Sequence, residues 1–95
     1  MTATEAILAG LEEIQLAPNP ARRQAVLGFT LSQKMRVQIS VHSLDGRLVK
    51  AWPAVVLPGG NHQEMIPVEE VQTGLYFLKI ATEKGTVSRK LMIIR

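Results

Sequence analysis

The sequence predicts an all-β protein, an antiparallel seven-stranded β-sandwich of immunoglobulin or fibronectin-III-like type. Three observations lead there. Past Pro20 the apolar residues recur with period two, as in a strand with one buried and one wet face. Turn signals stand at Asp45-Gly46, Pro58-Gly59-Gly60-Asn61 and Glu83-Lys84-Gly85, within a pattern of about seven strands with turns roughly every ten residues. The chain has 95 residues, 46% hydrophobic and 20% charged, which suits one folded domain with a modest core.

Each element follows in order. Ile7, Leu11 and Ile14 are spaced four and three apart, which allows a short helix over residues 1–11, or that stretch is a linker. Pro18-Asn19-Pro20 stops any helix, because prolines and the residues before them favour extended and turn geometry. Residues 14–17 and 25–31 supply two strands around it. In residues 35–42, Met35, Val37, Ile39 and Val41 alternate with Arg36, Gln38, Ser40 and His42, the clearest strand of the chain. Asp45-Gly46 then signals a hairpin, since glycine accepts positive φ. Residues 48–56 return, interrupted by Pro53, which marks an edge or a bulge. Residues 62–68 form the next strand. In residues 75–82, Tyr76, Leu78 and Ile80 share a face. Residues 86–94 close the sandwich.

Little in the chain suggests chemistry. His42 and His62 lie in different strands at positions that read as solvent-facing or undecided, and no cluster of His, Asp or Glu supplies the three or four converging ligands of a metal site. Ser40, Ser43 and Ser88 lack a nucleophile elbow. Glu12-Glu13 and Glu69-Glu70 are adjacent pairs whose side chains point to opposite faces of a strand, so neither forms a carboxylate dyad. There is no cysteine. We therefore expect no enzyme, no metal and no cofactor. The net charge of +3 is spread along the chain, and aromatics are few (1 Trp, 1 Tyr, 2 Phe), so no nucleic-acid partner is expected. No apolar run is long enough for a membrane-spanning helix, and residues 1–10 do not read as a signal peptide, so any export signal is expected in a longer parent.

Four blocks together are more specific than any one of them. They are Pro18-Asn19-Pro20; Val37, Ile39 and Val41 running into Asp45-Gly46-Arg47 and Val49; Gly74-Leu75-Tyr76; and Lys90-Leu91-Met92-Ile93-Ile94-Arg95. Their order and spacing resemble the C-terminal sorting domain of the type IX (Por) secretion system of Bacteroidetes, over residues 12–95. Ser43, where the family often has an acid, and Ala17, where it often has an aromatic, depart from the pattern, as do Pro53 and Pro67 within strands. The resemblance implies a secretion signal that directs a covalently linked N-terminal passenger from the periplasm through the outer-membrane translocon. It also implies a cysteine-peptidase-type surface sortase that removes the domain, cutting within residues 2–11. The passenger then stays at the outer membrane and cell surface or in the medium.

Residues 90–95 are the expected recognition element. Val87, Leu91 and Ile93 would face the core, leaving Met92 and Ile94 exposed between Lys90 and Arg95, an apolar patch rimmed by charge. A terminal strand at a sheet edge also offers its backbone for strand addition, to a partner or as a weak homodimer. The other blocks read as markers of the fold: a hairpin tip at Gly46-Arg47, a tyrosine corner at Tyr76, a turn at Pro18–Pro20. A competing reading is an accessory spacer or carbohydrate-binding module. Sugar-binding faces gather aromatics, whereas Phe29, Trp52, Tyr76 and Phe77 are dispersed along the chain.

Overall fold

A computed structural model describes residues 10–95. They form eight strands: β1 (Leu11–Ala17), β2 (Gln24–Leu31), β3 (Met35–Ser43), β4 (Leu48–Ala51), β5 (Val55–Leu57), β6 (Gly60–Pro67), β7 (Gly74–Thr82) and β8 (Gly85–Ile93). One sheet has the order β1-β2-β6. The other has β4-β3-β7-β8, with β5 also paired to β3. All named pairings are antiparallel.

The all-β sandwich agrees with the sequence. The period-two strands bury one side and wet the other, as Met35, Val37, Ile39 and Val41 do in β3. Leu27, Phe29 and Leu31 of β2 face Leu78, Ile80, Leu91 and Ile93 of β7 and β8 across one continuous core. No side chain in that core is polar or charged. At roughly 25 cal/mol per Å² of apolar surface removed from water, this burial is the main source of stability.

Two expectations change in detail. The expected strand over residues 48–56 is two strands, which makes eight rather than seven. The Trp52 N–H still donates to the Ile39 carbonyl, 3.1 Å away. Pro53 has no N–H to continue the ladder, and pairing resumes only where Val55 meets Val37. Leu11 and Ile14 belong to a strand, not a helix: β1 pairs with β2 from Leu11↔Leu31 to Ala17↔Val26. The register slips between Glu12 and Gln15, where Glu13 takes φ 55, and such a bulge lets Ile14 turn back towards the core. Residues 1–9, which hold the rest of the expected helix or linker and all but the last two residues of the expected cleavage region, lie outside the described residues.

Candidate docking site at the terminal strand

The four motif blocks are far apart in sequence and side by side in space. Ser43, where the β3–β4 hairpin begins, pairs with Tyr76. Tyr76 pairs with Leu91, and Gly74 with Ile93. Ile93 bridges to Ala21, directly after Pro18-Asn19-Pro20. Hairpin, Gly74–Tyr76, terminal strand and proline segment thus form one row at one end of the sandwich.

The terminal strand alternates as its sequence requires. Val87, Leu91 and Ile93 are buried and Lys90 is exposed. Met92 and Ile94 are half-buried rather than exposed as expected. Beside them a segment is laid along the outer edge of β8. The Asn19 side chain behaves like a strand backbone: its Nδ2 donates to the Lys90 carbonyl and its Oδ1 accepts from the Met92 N–H, each at 2.9 Å. Ala21 continues the pairing. Its N–H donates to the Met92 carbonyl at 2.8 Å, and its carbonyl accepts from the Ile94 N–H at 2.9 Å. The expectation that the end of this strand is a free edge is therefore corrected. From the Lys90 carbonyl to the Ile94 N–H the outer edge is occupied, whereas the edge at Ser88 lies ahead of this clip. The clip also joins the two sheets, since it follows β1 and precedes β2 directly.

Past β8 the chain is still anchored. The Arg95 N–H donates to Thr73 Oγ1 at 2.8 Å, and its guanidinium donates to the Val71 carbonyl at 3.0 Å. Ile94 and Arg95 line an open cleft of about 330 Å³ with Arg22, Arg23 and Glu69. The sequence reading missed Ala21, Arg22, Arg23, Val71 and Thr73. No local pattern marks them, because their role arises from a crossing between distant segments.

The remaining motif residues have local structural roles. Gly46 takes φ 88 at the hairpin tip, a conformation that disfavours a side chain. Its N–H donates to the Ser43 carbonyl at 3.0 Å, and the Ser43 N–H donates to the Arg47 carbonyl at 2.9 Å. Asp45 caps the turn, accepting from the Ser43 hydroxyl and, at 3.3 Å, from the Arg47 N–H. These bonds, the Ser43 hydroxyl first, hold the Asp45 carboxyl below the usual carboxylate range. The Tyr76 hydroxyl donates to the Gln72 carbonyl at 2.7 Å, which is the tyrosine-corner bond. Gly74 makes room for that ring: a Cβ there would sit 3.3 Å from Tyr76 Cε1.

Neither histidine is simply a surface residue. His42 is half-buried; its Nε2 lies 3.0 Å from Ser40 Oγ, and its buried Nδ1 has no hydrogen-bond partner. His62 is half-buried against Phe29 and bonds the Pro58 carbonyl at 2.7 Å. Among the described residues no group of three or more His, Asp or Glu is placed to hold a metal ion. What the site offers is a surface: a clipped strand end, exposed Lys90 and Arg95, and half-buried Met92 and Ile94.

Comparisons with known proteins agree on the architecture and add a family. The model of the secretion system C-terminal sorting domain family matches residues 15–94. A search among curated proteins finds no match. Among solved structures, dimeric latent PorU from Porphyromonas gingivalis is similar with a TM-score of 0.69 and 17% identity, over 85% of this chain and 9% of that one. The C-terminal domain of wzt is similar with a TM-score of 0.57 and 14% identity, over 90% of this chain and 74% of that one. At these identities both likenesses are of fold. The chain spans about a tenth of the PorU chain.

Proposed function

The chain belongs to the family of type IX secretion-system C-terminal sorting domains, and on that premise we propose that it is the export address of a passenger protein joined to its N-terminal side. Membership carries the coarse statement, that the domain serves export to the cell surface or the extracellular space. The finer steps are our reading. The passenger reaches the periplasm, the domain engages the outer-membrane translocon, and a cysteine-peptidase-type sortase cuts within the linker at residues 1–11.

We assign recognition to residues 90–95. The observation that carries this is the division of labour within them. Leu91 and Ile93 are fully buried. Lys90, Met92, Ile94 and Arg95 present charge and apolar surface outward, on backbone fixed by Asn19, Ala21 and Thr73. A fixed backbone presents side chains at low entropic cost to a partner. Removing residues 90–95 takes Leu91 and Ile93 out of the core, so truncation would report on fold and address together. Point substitution separates them.

The test is a fusion of the domain behind a signal peptide and a fluorescent passenger, in a host with a working type IX system. Lys90→Glu should leave the melting temperature of the purified domain within a few degrees, by the small effect of surface substitutions, and should hold the passenger in the periplasm. Surface display equal to that of the unaltered fusion would refute the assignment.

A further inference from the structure

Strand β7 carries apolar residues on both of its faces. Leu78 and Ile80 are fully buried in the core. Leu75 and Phe77 point the opposite way, to the outer face of the five-stranded sheet, where both are half-buried. A strand apolar on both faces is expected in a sheet covered on both sides, whereas an antiparallel sheet with one solvated face normally alternates apolar with polar. Its neighbour β3 does alternate, with Arg36, Gln38, Ser40 and His42 outward. Within the described residues nothing covers the outer face of β7.

The register shows what lies beside these two residues. Leu75 is opposite Met92, and Phe77 is opposite Lys90. On its other side Phe77 is opposite His42, which is opposite Leu48. Leu48 is 58% exposed. Leu75, Phe77 and Met92 thus make an apolar surface on β7 and β8 that ends at the clipped strand, with Leu48 of β4 beyond His42 of β3. Lys79 and Lys90 border it, and Arg36 stands further along the same face. No acidic residue occupies a described strand position of this face; the nearest acids, Asp45 and Glu83, are in the turns at its two ends.

We propose that this outer face, centred on Phe77 and Leu75, is the surface on which the export machinery docks, and that its partner is a protein surface with an apolar centre and an acidic rim. The proposal rests on the sorting reading above and enlarges the site from one strand to a sheet face. Lysine flanks without acids call for an acidic complement. An apolar centre with a charged rim is the anatomy of a protein interface. Leu75, Phe77 and Met92 are half-buried in the sheet face, which suits a complementary protein surface better than insertion into a lipid layer.

The experiment uses the same passenger fusion and two pairs of substitutions. Leu75→Ser with Phe77→Ser removes the apolar centre; Lys79→Glu with Lys90→Glu inverts the rim and guards against misfolding of the first pair. Lys79→Arg with Lys90→Arg is the control. We expect each of the first two to lower surface display at least about tenfold, as loss of hot-spot residues does, and the control to display normally. The charge-inverted domain should melt like the parent. Normal display of both altered fusions beside a displayed parent overturns this proposal alone. A parent that is not displayed overturns the sorting reading and this proposal with it. Sedimentation of the purified domain with phosphatidylglycerol vesicles, abolished by charge inversion, would assign the face to lipid and overturn the protein partner.

Discussion

Asn19 does by side chain what a strand does by backbone. Its amide offers one donor and one acceptor at the spacing that the Lys90 carbonyl and the Met92 N–H require. Aspartate would keep the acceptor and lose the donor; alanine would lose both. We expect Asn19→Ala to cost about 1–2 kcal/mol, for two partly exposed hydrogen bonds, and Asn19→Asp to cost less, as measured by urea unfolding. Tyr76→Phe should cost about 1 kcal/mol for the corner bond alone. Gly46→Ala should cost a similar amount, about 1 kcal/mol, through its positive φ, although the space around it is open. Asp45 sets a pH dependence. Its carboxyl is held below the usual range by the Ser43 hydroxyl and the Arg47 N–H, so the contribution is present above the unfolded-state pKa and lost as pH falls through the folded one. The wild type should therefore lose slightly more stability on acidification below about pH 4 than Asp45→Asn, by thermal melts across that range.

At the scale of elements, strand positions and faces were legible in the sequence wherever period two was unbroken. In β3 and β8 the buried set is the one that alternation picks out, because side-chain direction in a strand follows from parity alone. The division of residues 48–56 into β4 and β5 was signalled by Pro53 but not resolved, since a proline permits either a bulge or a break. The clip was not legible. Pro18-Asn19-Pro20 reads as a turn from its own residues, and only the tertiary crossing shows that it closes the edge of β8. The outward pair Leu75 and Phe77 was legible in principle: the run from Leu75 to Ile80 is apolar at both parities except for Lys79. Energetically the terminal strand is integral to the domain. Leu91→Ala should cost about 2–5 kcal/mol and lower the denaturation midpoint. Lys90→Glu, exposed on the same strand, should change it by less than about 0.5 kcal/mol.

For the whole molecule, two sheets around one apolar core leave function to the surfaces. The proline segment, the glycine-tyrosine block, the hairpin and the terminal strand share one end of the sandwich, and the outer face of the larger sheet leads to that end. The exposed edge at Ser88 also leaves room for weak self-association through β8, while the clip confines it to the first half of that strand. Sedimentation velocity over a wide concentration range should show any dimer, and Ser88→Pro should weaken it by removing an edge donor.

The most direct measurement is the location of a fluorescent passenger carrying residues 1–95, in a type IX host and in its translocon-deficient counterpart. Passenger is expected at the cell surface or in the medium of the first and in the periplasm of the second. Passenger reaching the surface equally in both, or in neither, would contradict it.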